Sequence, residues 1–158
     1  MKTSKIIICL MWILLSESVG ALSGWLSRDG ISAFSETVNQ PPLSPPAILF
    51  PIVWGILYLL MGISAGRIAS SPPSEERSRG LNLFIMQLVV NFLWSPVFFN
   101  ARAYGFAFFW LLLLWILVLT MILSFRKTDA PSARLQIPYL LWLTFAVFLN
   151  AGVWYLNR

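Results

Sequence analysis

Long apolar runs separated by short polar stretches set the pattern of the chain. Residues 6–26, 47–69, 81–99, 105–125 and 135–156 are each apolar for long enough to cross a bilayer as a helix rising ~1.5 Å per residue. The pattern predicts an all-α integral membrane protein, a bundle of five transmembrane helices in one domain covering residues 1–158. Three of the runs break the aliphatic pattern. In QLVVNFLWSPVFFN, residues 87–100, Gln87, Asn91, Ser95 and Phe98 recur at helical spacing and share one face. Uncharged polar groups in lipid are costly unless partnered or lining a cavity, so this face turns toward neighbours or a ligand. Trp142, Ala146 and Asn150, each four apart, form a second inward wall of indole, small gap and amide. Trp54 and Tyr58 stack on one face of the second run. Pro96 removes a backbone hydrogen bond and frees the carbonyl of Phe92, which predicts a kink or local opening. Residues 105–125 are nearly all Leu, Phe, Ile and Trp, with Thr120 the one interior polar group before Ser124, and read as a lipid-facing structural helix.

The polar stretches between the runs differ in kind. Residues 27–44, SRDGISAFSETVNQPPLS, read as a loop too long for a simple turn, and Pro41, Pro42, Pro45 and Pro46 at its end stiffen it. It is either a lid over one end of the bundle or a proline-rich helix start, and the two are compatible. Residues 70–80, with Glu75, Glu76, Arg77 and Arg79, read as a solvated linker, and Arg126, Lys127, Asp129, Pro131 and Arg134 as a short loop. Gly20 with Gly24, and Gly62 with Gly66, have the small-residue spacing that lets helices approach closely. The first run has a second reading: Lys2 and Lys5 before an apolar stretch, with Val19, Gly20 and Ala21 as a cleavage site, resemble a secretory leader. Leu22, Trp25 and Leu26 continue the apolar character beyond that point and favour a span.

Composition narrows the chemistry. The chain is 58% hydrophobic and 11% charged, far outside soluble domains. It contains no histidine, which removes Ser-His and Cys-His catalysis, the usual zinc clusters and the commonest axial haem ligand. No metal site and no catalytic residue is predicted. Cys9 is the sole cysteine and forms no internal disulfide. Glu17, an acidic group in mid-span, is a functional candidate by default; a protonated glutamate bonded to a neighbouring helix is the equal alternative.

The net charge of +5 reads as topology, since the basic residues sit at the ends of spans and form no nucleic-acid-binding cluster. Lys2, Lys5, Arg67, Arg77, Arg79, Arg126, Lys127 and Arg134, eight of the eleven, fall on the side of the N-terminus; Arg28, Arg102 and Arg158 fall on the other. By the positive-inside rule the N-terminus is cytoplasmic, the proline loop faces outward, and the cell membrane is the expected location.

NQPPLSPPAILFPIVWGILY, QLVVNFLWSPVFFNAR and PYLLWLTFAVFLN, in that order, resemble the TspO/MBR family, the tryptophan-rich sensory proteins related to the mitochondrial translocator protein. The resemblance covers essentially the whole chain after Ser16. It implies a five-helix bundle, usually a homodimer, whose pocket under the first loop binds porphyrins such as protoporphyrin IX and haem. Some members also bind sterols and benzodiazepine-type ligands. Carried onto this chain, the ligand-binding residues are Trp54, Tyr58, Asn91, Trp94, Trp142, Ala146 and Asn150. The face analysis selects all of these but Trp94, which rests on the resemblance.

Two departures from the family pattern stand out. Phe34 and Ser35 occupy the positions of its usual loop Trp-Tyr pair, which weakens any porphyrin degradation assigned to a loop indole. Ala151 replaces the tyrosine of its C-terminal sterol pattern, and although Val153, Tyr155 and Arg158 satisfy the loose form, sterol binding is disfavoured. The implied function is a membrane receptor or carrier for porphyrin-like ligands that requires no cofactor. A regulatory, sensory protein without transport is the alternative, and a porphyrin-degrading enzyme the weaker one. Against all three stands a plain use of the aromatics as packing and interfacial anchors.

Overall fold

The computed structural model describes residues 2–158. Five helical spans form the bundle: α1 (Lys2–Leu26), α3 (Leu49–Ala69), α4 (Glu75–Ser95) continued by a π-helical turn at Pro96–Asn100, α5 (Tyr104–Thr128), and α7 (Ile137–Leu156), which follows the short α6 (Ala130–Leu135). All five spans are long and apolar enough to cross a membrane. Large apolar side chains such as Leu14, Phe109 and Leu141 remain exposed on the outer surface. Such a coat suits lipid, and the chain is a multi-pass, all-α membrane protein.

Helix α1 lies along α3, and the glycines explain how closely. A Cβ on Gly62 would fall on the backbone of Ile13, and one on Gly66 would lie 2.5 Å from Cys9 Cα. Gly20 faces the Tyr58 ring in the same seam, whereas Gly24 meets nothing within 4 Å. Three of the four spaced glycines therefore serve helix contact. Helix α5 packs on α4 and α7. Its Ala107, Leu111, Leu114, Val118 and Met121 are buried, so the expectation of a purely lipid-facing fourth span is corrected. One face of α5 belongs to the core, and Thr120 on the outside bonds back to the Ile116 carbonyl at 2.8 Å.

Pro96 acts as its chemistry requires. The Ala101 amide donates to the Pro96 carbonyl, 3.0 Å away, in the wider i to i+5 pattern. The Phe92 carbonyl that proline leaves free accepts a 2.9 Å bond from Ser23 Oγ on α1. An opening in one helix thus becomes a tie to another.

Three polar stretches are more ordered than expected. Residues 28–37 form the amphipathic helix α2, not an unstructured loop. The linker at 70–80 ends early, because Ser74 caps α4 by accepting from the Arg77 amide at 3.1 Å, with Glu75 and Glu76 in the favourable first turn. The stretch at 126–134 comprises the end of α5 and most of α6, with Asp129 capping α6 through the Ser132 amide at 3.2 Å. Asp129 also receives Arg67 Nε at 2.9 Å, which fastens the end of α3 to this corner.

Candidate functional site

Between α1, α3, α4 and α7, beneath residues 31–47, lies a cavity of about 860 Å³. Its depth follows from the order of lining residues along each helix. Nearest the roof are Gly24, Ala47, Phe99 and Val153; farthest from it are Glu17, Tyr58, Asn91 and Trp142. Those four therefore form the floor.

Aromatic rings make the walls. Trp54 lies 5.6 Å from Tyr58 and 6.5 Å from Trp142 between ring centroids, the latter pair edge to face. Phe50 meets Trp142 at 5.7 Å, and Trp94 stacks on Phe98 at 4.9 Å. All seven residues selected from the sequence, Trp54, Tyr58, Asn91, Trp94, Trp142, Ala146 and Asn150, line this one cavity.

Hydrogen bonding separates them into two kinds. Asn91 Oδ1 accepts from Tyr58 Oη at 2.6 Å, while its Nδ2 donates to Tyr139 Oη at 2.6 Å. Tyr139 Oη in turn donates to Gln87 Oε1 at 2.8 Å. This chain joins α3, α4 and α7 across the core, and Gln87 and Tyr139 are 0% and 1% exposed. Of the two partners left open for Asn91, a neighbour or a ligand, the neighbours take its oxygen and one amide hydrogen, and the residue still lines the cavity. Asn150 is committed likewise, accepting from Trp94 Nε1 at 3.2 Å and donating to the Tyr104 carbonyl at 2.9 Å. Trp142 Nε1 differs, being buried with no partner among the described residues.

Glu17 stands on the floor without a hydrogen bond or ion pair among the described residues, against the alternative of a glutamate bonded to a neighbouring helix. Arg28, near the outer end of α1, lies outside the cavity lining. Its Nη1 donates to the Trp25 carbonyl at 2.7 Å and its guanidinium covers the Trp25 ring at 4.4 Å.

The roof is fastened at several points. Phe34 packs on Phe98 and Phe99 at 5.4 and 5.2 Å. The Asn39 amide donates to Asn157 Oδ1 at 3.1 Å, and Asn157 Nδ2 returns a 2.7 Å bond to the Asn39 carbonyl. Pro41 rests on Gly152, where a Cβ would come within 2.7 Å of its ring. The turn at residues 41–44 closes through Ser44 Oγ on the Pro41 carbonyl at 2.7 Å, with Leu43 in the left-handed region at φ 71°.

The sequence reading did not place Phe50, Phe34, Gln40 or Pro41 at the site. Phe50 had a signal, since it extends the Trp54 and Tyr58 stripe by one more step of four. The roof residues had only the coarse signal of a proline-rich lid, because which of them face the cavity depends on where the loop folds back.

The chain is 36% identical over 126 residues to protein CrtK of Rhodobacter capsulatus, covering 79% of each chain. It is 32% identical over 144 residues to the tryptophan-rich protein TspO of Chlorobaculum tepidum, covering 90% of this chain and 91% of that one. Against the translocator protein of Ovis aries it is 36% identical over 124 residues, 77% and 73% of the two chains. The TspO/MBR family model matches residues 12–156, the full extent of the bundle from within α1 to the end of α7, and the chain belongs to the TspO/MBR family.

Proposed function

We propose that the protein is a membrane receptor or carrier that binds porphyrins, protoporphyrin IX and haem among them, and similar flat apolar molecules in the roofed cavity. The observation that carries this reading is the cavity itself. At about 860 Å³ it falls within the range of small-molecule sites, roughly 300–1,000 Å³, and it offers aromatic walls with few free polar groups. Indole and phenyl faces give a flat ring large contact area and offset stacking. For haem the fit extends to the ring and not to the iron, because no histidine, cysteine or methionine among the described residues lines the cavity and the Tyr58 hydroxyl is committed to Asn91. Haem and metal-free protoporphyrin IX are therefore expected to compete on similar terms.

The charge bias supports a cytoplasmic N-terminus and a roof facing outward, with the cell membrane as the location. A homodimer is the assembly expected from the family. The names of relatives also favour a second reading, a sensory protein that binds without transport; a further relative, from Cereibacter sphaeroides, is called a tryptophan-rich sensory protein. Flux of ligand into liposomes separates the carrier from the sensor.

The test is titration of protoporphyrin IX into the detergent-purified protein, followed by tryptophan quenching. Ala146 lines the cavity with a methyl group, so Ala146→Phe fills the slot without removing a hydrogen bond. Saturable quenching that Ala146→Phe weakens at least tenfold is the expected outcome. Quenching that never saturates, or that ignores this substitution, refutes the cavity reading.

A further inference from the structure

The cavity has an electrostatic asymmetry. Among its lining residues Glu17 is the one charged side chain, and neither lysine nor arginine is among them. Gly20, one turn further along α1, is covered by the Tyr58 ring, so Glu17 shares the face of α1 that looks across the floor toward α3. Tyr58 Oη there is committed to Asn91 and does not neutralise the carboxylate. Arg28, the nearest cation in sequence, is held by Trp25. A partly buried carboxylate on the floor of an aromatic-walled cavity favours a positive charge twice, by direct pairing and by cation–π attraction at the neighbouring rings. It opposes a ligand that carries its own carboxylates downward.

Resting on the cavity reading above, we propose that Glu17 is a specificity-determining residue that makes this cavity select flat aromatic ligands bearing a basic nitrogen, bound with the cation on the floor beside Glu17. The rings of such a ligand occupy the aromatic walls. A dianionic macrocycle is accepted with its carboxylates turned up toward the polar edge of the roof at Ser35, Gln40 and Ser44.

Three ligands with one ring system test this: protoporphyrin IX, its neutral dimethyl ester and its cationic bis(aminoethyl)amide, each titrated by tryptophan quenching at neutral pH and low salt. The amide is expected to bind about tenfold tighter than the ester, as a charge-assisted contact implies. Glu17→Gln should bring the ratio of the two affinities to about one, and Glu17→Asp should retain most of it. The ratio cancels general changes in the cavity. If Glu17→Gln fails to fold, the native charge series and Glu17→Asp still decide the matter. Saturable ester binding with no preference for the amide, or a preference that survives Glu17→Gln, overturns this proposal and leaves the cavity reading standing. Ester binding that is unsaturable or indifferent to Ala146→Phe overturns both.

Discussion

Replacing Tyr139 by phenylalanine removes a single oxygen from a ring that is 1% exposed and leaves the packing volume in place. That oxygen accepts from Asn91 Nδ2 and donates to Gln87 Oε1, at 2.6 and 2.8 Å. Side-chain hydrogen bonds between membrane helices average ~0.6 kcal/mol in mutational cycles, so two of them set a floor of about 1.2 kcal/mol. The environment raises this figure. Gln87 is fully buried, and its oxygen has no other partner among the described residues. An orphaned buried acceptor costs ~1–3 kcal/mol. Asn91 suffers less, because its Oδ1 still accepts from Tyr58. The expected loss is about 2 kcal/mol. Reversible unfolding in mixed detergent and SDS micelles, followed by tryptophan fluorescence, measures it. Gln87→Met added to Tyr139→Phe removes the orphan and should recover part of the loss, since replacing both partners by apolar groups is far milder than replacing one. Tyr139 does not line the cavity, so the folded Tyr139→Phe protein should still bind porphyrin. A loss below about 0.5 kcal/mol, or a double variant less stable than the two single losses combined, refutes the view that this chain of bonds ties α3, α4 and α7 together.

Gly62→Leu should force α1 off α3, because even its Cβ falls on the Ile13 backbone, at a cost of roughly 1–3 kcal/mol in the same unfolding assay. Gly24→Ala meets nothing within 4 Å and should stay within about 0.5 kcal/mol of the native protein. Leu43→Gly should stabilise the roof turn by roughly 0.5 kcal/mol, the ~1–2 kcal/mol of left-handed strain relieved less ~0.5–1 for glycine's freedom when unfolded; a lowered melting temperature would contradict this. Partial burial works to raise the Asp129 carboxyl, but hydrogen bonds from Arg67 and Ser132 outweigh it and hold the group below its ordinary value of 3.8. A depressed carboxylate contributes stability that is complete above that ordinary value and is lost as pH falls through the lowered one. Melting temperatures of native protein and Asp129→Asn, compared at neutral pH and near pH 3, should therefore converge in acid; a gap that widens there would reverse the sign.

The five spans were legible because their length alone separates them from the connecting stretches, and the inward faces were legible because period fixes which side chains share a face. Pro96 was legible to the atom, since a missing amide names the carbonyl it abandons. The partner of that carbonyl was not, because Ser23 is reached only by fixing the rotation of α1 against α4. Helix α2 was missed for a related reason. Ile31, Phe34 and Val38 have helical spacing, but the run is short, contains Gly30 and leads into prolines, so local propensity does not make it a helix. Packing does: Gly30 sits against the Phe99 backbone, and Phe34 packs between Phe98 and Phe99. A helix made by its contacts is invisible until those contacts exist.

The same limit explains the mixed fate of the polar stripe on α4. Periodicity said that Gln87 and Asn91 face inward, and two outcomes were open, a ligand or a neighbour. The neighbours took them, because Tyr58 and Tyr139 arrive from α3 and α7 with hydroxyls at the right depth. That leaves the Glu17 carboxylate on the floor with no hydrogen-bond partner among the described residues. On the proposed reading, Tyr139 and Gln87 serve stability and Glu17 serves recognition. Changes at Tyr139 and Gln87 should move the unfolding midpoint with ligand preference intact, whereas changes at Glu17 should move the order of ligand affinities. A substitution in either set that moved both together would show that the bonded core and the binding floor act as a single unit.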